Sequence, residues 1–357
     1  MQIRFHVASR EPITRSGGLH NYVISLAAGQ AALGRRALIA HEIGARGAYR
    51  VTGEEPVPDF SDLREDDSVH LHFAQSARLI RPALSHTRAQ RIFHFHGPWA
   101  AEGRVQGDGR MKQVAKALLE RREYRRYGAF IVASDAFGRV LAEEYGMDPA
   151  RITTVYPGVD TSRFSPGSRR EARLRLGVDV DAPTISCVRR LEPRMGLFNA
   201  IEVAALLPDV QLLIAGTGSL ERDLRERVKA LGLEARVHLL GRVSDEQLPD
   251  VFRAGDVTLV PTLALEGFGL IVLESMASGT PVVATRVGGL PEAMGPFRVD
   301  YVVDEPTDAH LMASLCSSAI RQGATLAASV RTYAETRSLI EMAKSVEVVV
   351  EGAQHAR

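Results

Sequence analysis

Short β-branched or apolar runs recur along this chain of 357 residues, separated by stretches with helical spacing, and the alternation restarts near residue 183. The first-half runs are IRFHVAS, ALIAHE, VHLHF, RIFHFHG, AFIVAS and ITTVYPG; the second-half runs are PTISCVRR, VQLLIAGTG, VHLLGR, VTLVPT, PVVAT and YVVDE. Between them, Leu19–Leu33, Met111–Tyr127, Ala136–Tyr145, Phe198–Leu207 and Leu220–Leu231 read as helices. Strands alternating with helices make parallel sheets covered on both faces. The chain is also longer than one core usually supports. The expected fold is therefore α/β, with two doubly wound, Rossmann-like domains at 1–165 and 166–338, joined through the Pro-, Gly- and Ser-rich stretch around 158–180. Residues 339–357 keep a helical spacing through Leu339, Met342, Ala343 and Val346, and this helix is expected to cross back to the first domain. Ligands of such sheets sit beyond the C-terminal ends of the strands, so a cleft between two facing domains is the expected site.

Composition narrows the class. A net charge of +1 gives no global field for nucleic acid, so none is expected as a partner. Only two cysteines occur, Cys187 and Cys316, both in apolar stretches, which suits a reducing, cytoplasmic setting without a disulfide framework or zinc spacing. No run approaches the ~18 apolar residues of a membrane span, and MQIRFHVAS enters a strand pattern without a leader-like apolar run.

The stretch EGFGLIVLE, residues 266–274, carries the most chemistry. Gly267 and Gly269 permit a tight turn and close approach of a ligand to the backbone. A helix then starts near Leu270, and its unpaired N–H groups suit a phosphate. Glu266 precedes that helix and Glu274 lies about one turn into it, so one ligand meeting both needs hydroxyls at two places with anionic charge between. A nucleotide sugar has that form. A plain helix cap with an exposed second glutamate is the alternative at this point.

The continuation, EGFGLIVLESMASGTPVVAT, resembles the signature of the GT4 family of retaining glycosyltransferases: two glutamates separated by seven residues, then a Gly-x-Pro-Val-Val-Ala-type stretch. SGGLHNYVISLAAGQAALGRRA resembles that family's first glycine loop, FHFHGPWAAEG its histidine-bearing strand end, and VRRLEPRMG its donor-phosphate loop. LIAGTGSLERDL and LLGRVSDEQLPDVF resemble its nucleotide-base strands. The resemblance implies the GT-B architecture.

It also implies roles. Glu266 would contact the transferred sugar and Glu274 the ribose, while backbone N–H groups of Gly267, Phe268, Gly269 and Leu270 meet sugar oxygens and the distal phosphate. Arg190 matches the family's phosphate arginine; a surface arginine next to another, Arg189, is the alternative. The family's lysine before glycine is Met195 here, and Arg194 is the expected substitute. Gly17 and Gly18 resemble the loop touching the donor diphosphate from the other domain, with His20 and Asn21 nearby. Gly216, Arg242 and Val243 fall in the nucleotide-facing stretches. His96 matches the active-site histidine; His94 shares its face and Phe93 and Phe95 point the other way. Trp99, Glu102 and Arg104 are the expected acceptor-side residues.

The implied activity is metal-independent transfer of a hexose-type sugar, with retention, from a nucleoside diphosphate sugar (UDP before GDP) to a hydroxyl acceptor that is a small molecule, a glycan or a lipid-linked sugar. Neither a metal nor pyridoxal phosphate is expected: Asp179 and Asp181 have a metal-like spacing but precede a strand, at the wrong end for a ligand. Alternatives are an epimerase or phosphorylase of the same plan, or a non-catalytic sugar-nucleotide binder, the last motivated by Met195. A dehydrogenase fits least, because GTGSLE lacks the third glycine of the dinucleotide fingerprint. Residues 104–126 carry eight basic side chains, Arg104, Arg110, Lys112, Lys116, Arg121, Arg122, Arg125 and Arg126, against Asp108, Glu120 and Glu123. Met111, Val114, Ala115 and Leu118 form a stripe that either packs on the sheet or touches an anionic membrane. The oligomeric state is not legible.

Overall fold

The structure, a computed structural model, describes residues 1–12, 17–44, 49–53, 58–105 and 107–355. The chain forms two compact units, Met1–Gly158 with Leu339–Arg357, and Val159–Ser338.

The first unit runs β1 (Ile3–Val7), α1 (Gly18–Ala32), β2 (Arg36–His41), β3 (Arg50–Thr52), β4 (Ser68–Leu71), α2 (Ala74–Leu84), β5 (Gln90–Phe95), α3 (Trp99–Val105), α4 (Arg110–Tyr124), β6 (Ala129–Val132), α5 (Asp135–Glu143) and β7 (Ile152–Thr154). Its sheet has the order β3-β2-β1-β4-β5-β6-β7. All pairs are parallel except β2 with β3. The reversal of order at β1 and β4 is the switch point of a doubly wound sheet. The antiparallel edge strand β3 has no counterpart in the sequence reading, because three residues give no usable alternation.

The second unit runs α6 (Arg169–Leu176), β8 (Thr184–Val188), α7 (Leu197–Leu206), β9 (Gln211–Ala215), α8 (Glu221–Ala230), β10 (Val237–Gly241), α9 (Leu248–Ala254), β11 (Val257–Val260), α10 (Leu270–Ala277), β12 (Val282–Thr285), α11 (Leu290–Met294), β13 (Val302–Val303) and α12 (Ala309–Glu335). Its sheet is parallel throughout, in the order β10-β9-β8-β11-β12-β13. The stretch expected to be a linker thus holds a helix, α6. Ser168 caps it, accepting from the Glu171 N–H, and Gly177 ends it with φ +69°.

The final helix, α13 (Leu339–His355), packs in the first unit against α1. Gly29 makes this possible, since a Cβ there would overlap the Leu339 carbonyl. The two faces of the first sheet differ. One is apolar, with Phe5, Val7, Phe93, Phe95, Tyr124 and Phe130 in its core. The other, beneath α1 and α13, carries His6, His70, His72 and His94, all at most 1% exposed.

Helix α4 does not pack by its apolar stripe. Met111, Val114, Ala115 and Leu118 face solvent, while Lys116, Glu120, Glu123 and Tyr124 are buried. The stripe does not cover the sheet. Hydrogen bonds explain the exchange. The Glu120 carboxylate accepts from the N–H groups of Trp99 and Ala100 (2.8 and 3.2 Å) at the start of α3, and from the hydroxyls of Tyr124 and Tyr145 (2.9 and 2.8 Å). A buried carboxylate is tolerated only with such a set. Lys116 reaches Asp108 and lies 4.6 Å from the centre of the Trp99 ring.

Candidate functional site

Parallel strands deliver their following loops to one edge. In the second unit these are the loops after β8, β9, β11 and β12, at 189–196, 216–220, 261–269 and 286–289. Glycines let them interlock. A Cβ on Gly196 would collide with the Pro261 carbonyl, one on Gly216 with the Arg189 carbonyl, and one on Gly288 with the Glu266 carbonyl. Main-chain bonds complete the lattice: Leu191 N–H to Thr217 O (3.0 Å), Leu263 N–H to Arg194 O (2.8 Å) and Gly289 N–H to Glu266 O (3.0 Å).

Glu266 sits at the centre of this edge. Its Oε2 accepts from Nη2 of Arg189 at 2.5 Å, and the same guanidinium donates to Oγ1 of Thr262. The side chains of Arg189 and Glu266 are 7% and 15% exposed. Nε of Arg189 is buried with no partner, an orphaned donor at the heart of the cluster. The preceding residue, Leu265, holds φ +56°, a conformation that side chains other than glycine rarely adopt. Glu266 is thus aimed by an uncommon turn and held by a buried cation.

The arginine paired with Glu266 is Arg189, the neighbour of the Arg190 expected to meet the phosphate. Arg190 is exposed, whereas Arg189 is half-buried with its side chain almost wholly covered. The reason is that β8 pairing extends one residue further: the Arg189 N–H donates to Ala215 O at 2.9 Å. Strand alternation then keeps Arg189 on the face of Cys187 and turns Arg190 outward. Thr262 and Arg189 are the residues that sequence reasoning missed. The doubled arginine was the available signal, and only the strand's end point decides between its members.

Met195 is buried at 5% exposure, in the turn before Gly196. Arg194 donates from Nη1 to the Leu265 carbonyl at 2.7 Å, so it braces the loop that carries Glu266. Gly269 caps α10 with φ +88°, and no side chain caps that end. Phe268 is buried; Gly267 and Leu270 are half-buried. Glu274, on the second turn of α10, is also half-buried. Burial pushes its carboxyl up to about 7, against the lowering charge of Arg163. Arg163 itself donates to the Asp245 carbonyl at 2.8 Å. Val243 is half-buried and Arg242 exposed, on the loop after β10.

The remaining candidates lie in the first unit. Gly17 and Gly18 open α1. His20 is buried and bonds Ser9 Oγ through Nε2 at 2.7 Å. His96 is half-buried, directly after β5, with Nε2 3.0 Å from Nδ1 of His72. Burial lowers its imidazole to about 3. Gly97 follows with φ +118°, turning the chain beside Phe137. Trp99 is half-buried, and the side chains of Glu102 and Arg104 lie outside the described residues. Among the described residues no group of three or more His, Cys, Asp or Glu side chains is arranged to hold a metal ion. Asp179 instead accepts from the N–H groups of Asp181 and Ala182 (2.8 and 3.1 Å) in a turn.

Two family patterns match this chain: "Glycosyl transferases group 1" over residues 168–337 and "Glycosyltransferase Family 4" over residues 62–163. Among individual proteins it is similar to the D-inositol 3-phosphate glycosyltransferase of Mycobacterium tuberculosis, with 42% identity over 169 residues. That match takes in 46% of this chain and 35% of the relative. Among solved structures, a sucrose-phosphate synthase from Thermosynechococcus elongatus aligns with a TM-score of 0.80 at 20% identity, covering 100% of both chains. HepE of Anabaena in complex with UDP-glucose aligns at 0.77 and 20% identity, covering 99% of this chain and 100% of that one. At these identities the structures establish the fold, the two-unit architecture of GT-B glycosyltransferases.

Proposed function

The chain belongs to the group 1, family 4 glycosyltransferases, and we propose that it moves a sugar from a nucleoside diphosphate sugar to a hydroxyl acceptor, with retention of configuration and without a metal. The observation that carries this reading is the Arg189–Glu266–Thr262 cluster on the loop edge beside the start of α10. A departing diphosphate needs fixed positive charge; an oriented carboxylate in the same place grips sugar hydroxyls. A rigid cation and the N-terminal end of α10 stabilise charge that builds on the leaving oxygen at little reorganisation cost.

Arg189 takes the role first given to Arg190, and with Arg194 it answers for the cation that Met195 does not supply. In the ground state Arg189 is engaged by Glu266. A bound donor then trades that ion pair for two contacts, phosphate on the arginine and sugar hydroxyls on the glutamate. Glu274 is read as the ribose contact: burial raises its carboxyl to about 7, so near neutral pH it carries only part of a second negative charge beside the diphosphate. UDP is the preferred base, in line with the complexes known for HepE. The acceptor proton leaves with the departing phosphate, so no separate base is required in this reading.

The test is binding and turnover of a panel of nucleoside diphosphate sugars. UDP-sugars should raise the melting temperature and be hydrolysed slowly without acceptor. Absence of both with every nucleotide sugar overturns the reading.

The solvent face of α4 supports a further element of it. Met111, Val114 and Leu118 are 87%, 54% and 61% exposed, flanked by Arg110, Lys112, Arg121, Arg122 and Arg125. Apolar wedges ringed by cations fit an anionic lipid surface, which would bring a lipid-linked acceptor to the enzyme. Salt-sensitive sedimentation with vesicles of anionic lipid, lost in Leu118→Asp, is the expected result; no binding at low salt removes this element.

A further inference from the structure

Beneath α1 and α13, five histidines and six other polar side chains are linked by hydrogen bonds into one main chain and a side branch. Nδ1 of His72 lies 3.0 Å from Nε2 of His96. Nε2 of His72 lies 3.0 Å from Nδ1 of His6, and Nε2 of His6 lies 2.7 Å from Oε1 of Gln30. The Gln30 amide nitrogen donates to Oε1 of Glu347 at 3.4 Å. Glu347 is gripped by Arg4 through both oxygens (2.8 and 2.7 Å) and by Arg35 (2.8 Å). A side branch runs from Ser68 Oγ through His70 and His94 to the Tyr22 hydroxyl.

The direction of the main chain of bonds follows from chemistry alone. Burial would raise the Glu347 carboxyl, but the hydrogen bonds and charges of Arg4 and Arg35 outweigh it, so the group is ionised and only accepts. Gln30 must therefore turn its NH₂ toward Glu347 and its oxygen toward His6. That oxygen accepts, so Nε2 of His6 carries the proton. A neutral imidazole has one N–H, so Nδ1 of His6 accepts and Nε2 of His72 donates. The same step repeats: Nδ1 of His72 accepts, and Nε2 of His96 donates. The rings are neutral because burial lowers His6, His72 and His96 far below ordinary histidine values.

We propose that Glu347 on α13 fixes the tautomer of His96 through Gln30, His6 and His72, leaving Nδ1 of His96 unprotonated as the acceptor for a hydroxyl of the substrate. Glu347, Gln30, His6 and His72 are positioning residues; His96 is the group they prepare. The involvement of substrate rests on the glycosyltransferase reading above, whereas the tautomer does not. A neutral Nδ1 fixed in advance accepts a sugar hydroxyl without a competing N–H form, and it cannot serve as a cation for the diphosphate. The helix supplying the carboxylate lies at the far end of the sequence from β1, and Gly29 is what lets it come close enough to Gln30's helix.

The experiment is ¹⁵N spectroscopy of the full chain with labelled imidazoles at pH 7.5. His6, His72 and His96 should each show the Nε2–H tautomer. Gln30→Leu should remove the preference at His96, leaving a mixture, and lower kcat about tenfold with donor KM little changed, the loss of one well-oriented hydrogen bond. His96 carrying its proton on Nδ1 in the unaltered chain overturns the proposal. So does an unchanged His96 tautomer in folded Gln30→Leu. If that variant does not fold, the unaltered spectrum still decides. The Nε2–H pattern in a chain that neither binds nor hydrolyses any nucleoside diphosphate sugar would keep the relay and discard the transferase reading.

Discussion

The two units satisfy their buried polar groups with different chemistry. In the second, the layer between β8, β11 and α10 is built from hydroxyls: Ser186 and Thr258 bond each other at 2.7 Å, and Ser275 donates to Thr258 at 2.8 Å. Thr280 donates to the Phe252 carbonyl at 2.8 Å. In the first, the corresponding layer is built from imidazoles ending on an ionised carboxylate and two guanidiniums. Hydroxyls do not titrate in water's range, and imidazoles do. The hydroxyl layer is therefore indifferent to pH, and the imidazole layer depends on it.

The largest expected effect follows from this. His6, His70, His72 and His94 are buried neutral, with folded values far below the 6.5 of the unfolded chain. Between those limits the unfolded state binds more protons. The stability of the first unit is thus full above about pH 6.5 and lost as pH falls, at up to about 5 kcal/mol per pH unit for four groups. That is comparable to a whole domain's stability. Trp99, in the first unit, should report an acid transition near pH 5, while amides of β8, β9 and β11 stay protected. Simultaneous loss of both units at that pH would break the comparison. Glu274 sharpens it, because its carboxyl is raised to about 7. Between about 4.5 and 7 the second unit's folded state holds the extra proton, so this group adds stability as pH falls.

Next in size, Glu347→Leu leaves Arg4 buried without its partner, at 1% exposure. A cost of roughly 3–5 kcal/mol is expected in urea titration at pH 7.5. Glu266→Gln and Arg189→Met should each lower turnover about 100- to 1000-fold, equivalent to about 3–4 kcal/mol in the transition state, with the fold retained. Arg190→Met, one residue away, should cost far less; equal losses at both arginines would return the role to Arg190. The smallest effect belongs to Ser186→Ala, about 1 kcal/mol by urea titration and the same at pH 5.5 and 7.5.

Most of the architecture is written in local patterns. Runs such as QLLIA and VTLV can only be buried strands, and the restart near 183 separates two sheets. Glycine turns and the spaced glutamates mark the loop edge of the second sheet. What escapes the sequence depends on neighbours that only the fold supplies. His94 and His96 share a face by simple alternation, but their partners His6, His70 and His72 come from β1, β4 and the residue after β4, strands that become adjacent only through the switch in strand order. It is Arg189, not Arg190, that meets Glu266, because pairing continues one residue past the apolar run. On α4 the apolar stripe left sheet packing and membrane contact both open, and the carboxylate of Glu120, with four donors waiting, holds the inside.

The return of α13 has a consequence for how the molecule is made. Arg4 and His6 leave the ribosome early, but the carboxylate that completes their layer is synthesised only after the entire second unit. The hydroxyl layer of the second unit draws its partners from within that unit, which is able to close while its predecessor still waits. Maturation therefore runs against the order of synthesis: the part begun first is finished last, and a nascent chain halted before residue 347 would hold one settled half and one still open to proteases and chaperones.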